Sequence, residues 1–415
     1  MRENLSRPLE MQALQTLNAE VMPVRGCSEP GSETSEGAKM RILHVISALP
    51  IGGAEVMLWR LLSASTSTYS HAVVSLKDEG AVGPKIRDLG IPLYTLGLSL
   101  AAPNPFRALS LRSIVRQFRP DLIQGWMYHG SLMASMAGGF SKRRLPVIWG
   151  IHQSYSDFDN EKWTTAAVIK LDAFLSSRAT RIIYVSQTGR KQHEDLGYNP
   201  ATGLVVPNGI DCQMFAPDET ARRSVRGELG LSRDAILVGL VARYHPMKDH
   251  SGFLRAAALV AAERPSVHFL LIGRGTQEAP ELRALVQDLQ LHPRVFFLGE
   301  RWDTPRLTAA LDISCSASAW GEAFSIALGE AMACAVPCVV TDVGDSSYIV
   351  ADTGLSVPPR NPQALADAIG RLVAAGEFAR RGLGEAARQR ILSQFSLPMI
   401  VRRYEELYRE HISFR

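Results

Sequence analysis

The sequence predicts an α/β protein made of two parallel-sheet domains, and three observations carry that prediction. From residue 41 onward short apolar runs alternate with amphipathic stretches, the pattern of strand–helix repeats joined into parallel sheets. The rhythm breaks at a polar, charge-dense stretch and restarts at Ala235-Ile236-Leu237-Val238-Gly239-Leu240-Val241-Ala242, as it would on entering a new domain. The 415 residues, 46% hydrophobic and 21% charged, suit two or three globular domains, each large enough to bury a core.

Residues 1–39 differ from the rest. Positions 26–37 are rich in Ser, Glu and Gly with little that could pack, so this segment is expected to be a disordered or non-native extension ahead of Met40. It lacks the apolar central run of a signal peptide. The first domain is expected over 40–212, with strands near 42–47, 72–75, 93–96, 122–126, 147–149, 182–185 and 204–206. A linker falls within 207–233, and the second domain spans 213–396, with strands near 235–242, 267–272, 295–298, 313–315 and 337–340. Residues 397–415 complete the chain with a helix, read over 397–414, that places Ile400, Tyr404, Leu407, Tyr408 and Ile412 on one apolar face. In open parallel sheets a ligand binds in the crevice outside the carboxyl ends of the strands.

Charge and cysteine usage narrow the function classes. The net charge of +4 is too small for a dedicated nucleic-acid binder, so no nucleic-acid partner is expected. Its distribution is uneven: residues 40–212 hold 18 Lys and Arg against 12 Asp and Glu, whereas 213–415 hold 23 of each. The five cysteines form no C-x-x-C pair, which indicates neither a disulfide framework nor a zinc ribbon and suits a reducing, cytoplasmic setting. The stretch 122–141 lacks Asp, Glu, Lys and Arg, but it contains Gln124, His129 and several serines and changes pattern midway, so it is not read as a membrane span.

Three clusters carry chemistry. Gly52-Gly53-Ala54-Glu55 follows the first strand and opens a helix, where glycines admit a close anion approach and the helix dipole favours negative charge; a plain glycine turn explains it equally well. Arg243-Tyr244-His245-Pro246-Met247-Lys248 places two cations at the exit of a parallel strand, suited to a diphosphate. Gly321-Glu322-Ala323-Phe324-Ser325-Ile326-Ala327-Leu328-Gly329-Glu330 sets one carboxylate before a helix and another within it. The helical rise separates the two by about 10 Å, wider than the roughly 5–5.5 Å of a retaining glycosidase pair. They therefore read as two clamps on one long ligand, with the amides of Phe324 and Ser325 between them able to hold a phosphate. A solvated helix face is the plainer account of Glu330.

Together these clusters resemble glycosyltransferase family 4, the retaining, nucleotide-sugar-dependent enzymes with the GT-B fold. The likeness runs from Met40 to the carboxyl terminus and includes Ala331-Met332-Ala333-Cys334-Ala335-Val336-Pro337, Thr341-Asp342-Val343-Gly344 and Val206-Pro207-Asn208-Gly209-Ile210-Asp211. It implies two Rossmann-like domains facing across a cleft, an acceptor-binding first and a donor-binding second, with the last helix returning to the first. It also implies that Arg243 and Lys248 neutralise the donor diphosphate, Glu322 binds sugar hydroxyls and Glu330 the ribose. Gly53 would approach the phosphate or acceptor, His152 would stand near the anomeric centre, Gly273 would border the nucleotide, and the segment of Arg301 would read the base.

The donor is expected to be a UDP- or GDP-linked sugar and the acceptor a hydroxyl of a glycan or lipid-linked substrate, in surface polysaccharide biosynthesis. No metal or other cofactor is expected. The basic first half, with Arg112, Arg116 and Arg119 at helical spacing and Lys142-Arg143-Arg144, makes an anionic membrane surface a candidate partner of a cytoplasmic, peripheral enzyme; solvated helix faces are the plain alternative. Ala323, Asp345 and Ser346-Ser347-Tyr348 depart from the residues usual at those places, which bears on the sugar pocket. Two rivals stay open: a sugar-nucleotide 2-epimerase of the same architecture and a non-catalytic nucleotide-sugar-binding subunit.

Overall fold

A computed structural model of the protein describes residues 39–98, 105–141, 143, 145–155, 163–232 and 234–412, with the backbone alone described at 105–108. The expected extension at 1–38, together with Lys142, Arg144 and the last residues of the predicted terminal helix, lies outside the described residues.

The first sheet comprises β1 (Met40–Ile46), β2 (Tyr69–Ser75), β3 (Leu93–Thr95), β4 (Leu122–Trp126), β5 (Val147–Ile151), β6 (Arg181–Tyr184) and β7 (Gly203–Val205). Its order is β3-β2-β1-β4-β5-β6-β7, with every pairing parallel. The second comprises β8 (Ile236–Val241), β9 (Val267–Ile272), β10 (Val295–Gly299), β11 (Ile313–Ser316), β12 (Cys338–Thr341) and β13 (Gly354–Val357), in the parallel order β10-β9-β8-β11-β12-β13. Strand ends differ from the sequence reading by up to three residues. One strand was missed: Gly-Leu-Ser-Val of β13 is short, opens on glycine and pairs on one side only, so its apolar signal is weak.

Helices cover both faces of each sheet, and this is why the strands read as continuous apolar runs rather than alternating ones. Around the first sheet lie α1 (Gly53–Ser65), α2 (Gly83–Asp88), α3 (Pro105–Phe118), α4 (Met127–Gly139), α5 (Trp163–Leu175) and α6 (Gln187–Asp195). The second domain carries α7 (Glu219–Glu228), α8 (His250–Glu263), α9 (Pro280–Asp288), α10 (Thr304–Ala309), α11 (Ile326–Ala333), α12 (Ser346–Val350), α13 (Pro362–Ala374) and α14 (Gly376–Gln394), and α15 (Leu397–His411) ends the description. The chain crosses between domains twice, side by side: the amide of Ile210 donates to Phe395 O at 2.8 Å and that of Leu397 to Ile210 O at 2.8 Å. After the return, Ile400, Val401, Tyr404, Leu407 and Tyr408 of α15 are buried with Ile42, Ile46 and Met57 of the first domain. The returning helix thus completes a core that the first domain leaves open.

Strand order reverses between β1 and β4 in one sheet and between β8 and β11 in the other. Such switch points open crevices at the carboxyl ends of the strands. Three of the four segments that leave those strands carry the expected chemistry: the glycine turn after β1, Arg243 to Lys248 after β8, and the Glu322 loop after β11.

Candidate active site

The end of the site that carries Arg243 and Lys248 is built within the second domain. Beyond β8 the chain makes a single turn, Pro246–Lys248, stopped by Asp249 in the left-handed region (φ 46°), whose carboxylate caps α8 by accepting from the amide of Gly252 at 2.9 Å. That turn aims Lys248 at the Glu322 loop, and the amide of Ala319 donates to Met247 O at 2.8 Å, tying the two loops together. Lys248 Nζ pairs with Glu322 Oε2, which also accepts from Ser318 Oγ at 2.8 Å. Burial pushes the Glu322 carboxyl up, but Lys248, Ser318 and Arg243 together outweigh it and hold the group below its usual range. Arg243 is exposed and has no ion-pair partner among the described residues.

Gly344 explains why a glycine follows Thr341-Asp342-Val343. Its φ is 60°, and a Cβ there would lie 1.9 Å from Glu322 O, so only a bare backbone can brace the loop. Gly273 is fixed similarly: at φ 146° its Cα abuts Ala242 O, and its amide donates to Gly299 O at 2.7 Å. At the start of α11 the amides of Phe324 and Ser325 have no acceptor among the described residues. Both side chains are buried, with Phe324 packed on Phe395 at 5.6 Å between ring centroids.

Glu330, about one turn into α11, faces the other domain. Its Oε1 accepts from Arg60 Nη2 of α1 at 2.8 Å, and both side chains are largely buried. Arg60 Nη1 donates in addition to Gly209 O, in the first crossing segment, at 3.2 Å. Burial raises the Glu330 carboxyl and Asp211 adds to the rise, while Arg60 opposes both without cancelling them. A solvated helix face therefore does not describe Glu330.

These groups line one cleft of about 510 Å³, within the range of small-molecule sites. Gly53, Arg243, Lys248, Gly273, Arg301, Glu322, Phe324, Ser325 and Glu330 all border it. Gly53 meets the second domain directly, its Cβ position being 3.4 Å from Ile326 Cδ1. Arg301 is gripped by Asp303 in a fork of two 2.8 Å bonds, which fixes the loop after β10. The cleft also holds Arg60, Lys85, Arg274 and Trp302, which the sequence reading did not assign. Lys85 sits between the rings of Trp59 and Trp302, 4.9 and 5.1 Å from their centroids, and so links the two domains. Six cations against the carboxylates of Glu300, Glu322 and Glu330 give the cleft a positive surplus suited to a diphosphate.

His152 is the exception among the expected residues. It does not line the cleft; its ring is buried and stacks on Trp126 at 5.0 Å. Burial lowers its pKa to about 4, with Asn208 opposing, so the ring is neutral at physiological pH. Among the described residues no group of three or more His, Cys, Asp or Glu could hold a metal ion. An Asp-x-Asp triplet, Asp157-Phe158-Asp159, lies outside those residues.

Residues 51–214 match a family model described as Glycosyltransferase Family 4, and residues 235–375 match one described as Glycosyl transferases group 1. A D-inositol 3-phosphate glycosyltransferase of Mycobacteroides abscessus is 34% identical over 381 residues, covering 86% of this chain and 80% of that protein. A UDP-Gal:alpha-D-GlcNAc-diphosphoundecaprenol alpha-1,3-galactosyltransferase of Escherichia coli is 25% identical over 249 residues, 58% of this chain and 63% of its own. Among solved structures, Anabaena Alr3699/HepE in complex with UDP superposes with a TM-score of 0.79 at 23% identity, covering 89% of this chain and all of that one. The chain belongs to glycosyltransferase family 4, among the group 1 glycosyltransferases, and has their two-domain GT-B fold.

Proposed function

We propose that this glycosyltransferase moves a sugar from a UDP- or GDP-linked donor to a hydroxyl of a glycan or lipid-linked acceptor, with retention of the anomeric configuration and without a metal, in surface polysaccharide biosynthesis. The observation that carries this reading is the line of groups along one cleft: Arg243 and Lys248, the free amides at the start of α11, Glu322, and Glu330 beyond them. In this reading the cations and amides meet the charge that gathers on the departing diphosphate, and preorganised donors aimed at developing charge are usually the largest single source of transition-state stabilisation. Glu322, kept ionised by Lys248, accepts hydrogen bonds from sugar hydroxyls, and Glu330 accepts from the ribose.

In the reaction the bond from the anomeric carbon to the diphosphate oxygen breaks, and a bond to the acceptor oxygen forms on the same face. The acceptor proton passes to the leaving phosphate. His152, neutral and buried, is assigned no proton. The UDP complex of the Anabaena protein and the lipid-linked acceptor in the name of the Escherichia coli relative support the choice of substrates. An epimerase or a non-catalytic subunit would not need an acceptor. The reading is tested by screening UDP-, GDP- and ADP-sugars for thermal stabilisation, then following turnover with and without EDTA. One sugar nucleotide is expected to stabilise the chain, with turnover that requires an acceptor and is unchanged by EDTA; epimerised donor in the absence of acceptor would overturn it.

A membrane-facing role rests on α3, α4 and α5, which lie side by side over the first sheet. Their outward face exposes Leu109, Met136, Trp163, Leu171 and Phe174 together with Arg112, Arg116 and Lys170, and Arg119, Arg143 and Arg178 stand exposed beside it. The three helices contain one carboxylate, Asp172, and it is buried. Aromatic and aliphatic residues beside cations suit the surface of an anionic bilayer. No described helix is long and apolar enough to cross a membrane. Co-sedimentation with phosphatidylglycerol vesicles should weaken severalfold in a Trp163→Ser, Phe174→Ser variant while turnover of a soluble acceptor holds; equal sedimentation of variant and parent would remove this role.

A further inference from the structure

Arg60 is a buried cation on the apolar side of a first-domain helix, and its guanidinium reaches two places that belong to other parts of the molecule. One is the carbonyl of Gly209, in the first of the two segments that cross between the domains. The other is the carboxylate of Glu330, on the second domain. Its surroundings leave few alternatives. Ser65, Leu61 and Met57 on the same side of α1 are buried, and Arg60 is 5% exposed. Glu330 Oε1 is occupied by Arg60, and the residue borders the cleft.

We propose that Arg60 is a positioning residue of the donor site: it holds the Glu330 carboxylate ionised and in one rotamer against the inter-domain crossing, so that recognition of the ribose diol in the second domain depends on a first-domain side chain. This rests on the assignment of Glu330 to the ribose. A diol donates two hydrogen bonds, and only an ionised carboxylate offers acceptors without competing with a proton of its own. The groups that face Glu330 are Arg60 from α1, Asp211 from the crossing segment and Cys334 at the end of α11, with Cys212 and Arg388 of α14 against Cys334. Of these, Arg60 is the cation that pairs with the carboxylate, while burial and Asp211 both favour its protonation. Removing Arg60 therefore lets the proton in. The carboxyl becomes neutral first at low pH and recovers its charge as the pH rises, so the loss of ribose recognition is greatest in acid.

The experiment uses the full chain and isothermal titration with UDP and 2′-deoxy-UDP at pH 6.0, 7.0 and 8.5, or GDP and 2′-deoxy-GDP if the parent binds guanine instead. The parent is expected to prefer the ribonucleotide by roughly tenfold, as hydrogen bonds to a charged group imply, at all three pH values. R60M should lose most of that preference at pH 6.0 and regain part of it at pH 8.5. R60K should keep it. E330Q should lose it at every pH, and adding R60M to E330Q should change it no further. If R60M fails to fold, R60Q takes its place with the same expected loss at pH 6.0 and partial recovery at pH 8.5. An R60M protein that discriminates as the parent does, or whose loss adds to that of E330Q, overturns the role of Arg60. Full discrimination by E330Q instead overturns the ribose assignment on which the role depends.

Discussion

The two domains meet at one cleft but furnish it differently. In the second, the charged groups are paired locally: Lys248 with Glu322, and Arg301 with Asp303. In the first, Arg60 and Lys85 find partners across the boundary, and the core beneath them is threaded with imidazoles. The two glutamates show what this does. Both are buried, and burial pushes both carboxyls up; Glu322 has three groups that reverse the push, whereas Glu330 has a single arginine working against Asp211. The Lys248–Glu322 end of the cleft is thus preformed in one domain, while the Glu330 end is completed by the other.

The largest effect that would test this contrast comes from Lys248→Ala. Loss of one preorganised charge at a leaving group costs about 3–4 kcal/mol, so kcat/KM for the sugar nucleotide should fall roughly 10²–10³-fold. Glu322 would also lose its principal counter-charge and drift toward protonation, so Lys248→Ala should cost more than Glu322→Gln. A loss below tenfold in steady-state kinetics would mean that the diphosphate is not held where the pair stands.

Much of the second domain's contribution could be read from the sequence because it is local. Arg243 and Lys248 share one strand exit, and Glu322 and the α11 amides share one loop, so spacing alone brings them together. Gly344 and Gly273 were visible as motif residues, although their reason, a carbonyl packed against each, is visible only in three dimensions. The first domain's contribution arrives by contacts across 270 residues, as between Arg60 and Glu330, and no local pattern encodes that. A signal was present nonetheless. Arg60 follows Met57 by three residues on the buried stripe of α1, and a cation at such a position needs a buried partner. Trp302 and Lys85 offered no comparable sign. His152 was located by resemblance rather than by its own surroundings, and its ring lies behind Trp126 instead of along the cleft.

A second test concerns acid stability, which the buried imidazoles of the first domain should limit. Its buried His44, His71, His152 and His193 all have lowered pKa values, chiefly through burial, against His250 in the second domain. In the linear network Trp126 Nε1 donates to His44 Nδ1 at 3.2 Å, which leaves His44 Nε2 to donate to His71 Nδ1 and His71 Nε2 to donate to Ser65 Oγ. No nitrogen has room for a further proton. His71 titrates at about 4 in the fold and near 6.5 in the unfolded chain, so its contribution is intact above pH 6.5 and is lost as the pH falls from there toward 4. Glutamine can reproduce the acceptor and donor without titrating. His71→Gln should therefore narrow the stability gap between pH 7 and pH 4.5 by roughly 2–3 kcal/mol in urea denaturation. An unchanged gap would show that the network does not govern acid stability.

The smallest effect tests whether the boundary is held by more than Arg60. Asp345, which departs from the glycine usual after Asp-Val-Gly, reaches from the second domain to the start of α6 in the first. Its carboxylate accepts from the amides of Gln187 at 2.7 Å and Thr188 at 2.9 Å, while Ser186 caps the amide of Gly189 at 2.9 Å. A helix start leaves such amides unsatisfied and carries a positive dipole end, so a buried carboxylate there contributes about 1–2 kcal/mol. Asp345→Gly should lower stability by about that amount and speed hydrogen exchange at Gln187 and Thr188, with kcat changed little because Gly344 still braces the Glu322 loop. If exchange at those two amides stays as slow as in the parent, α6 does not depend on the second domain. The first domain's share of the boundary would then reduce to Arg60 and Lys85.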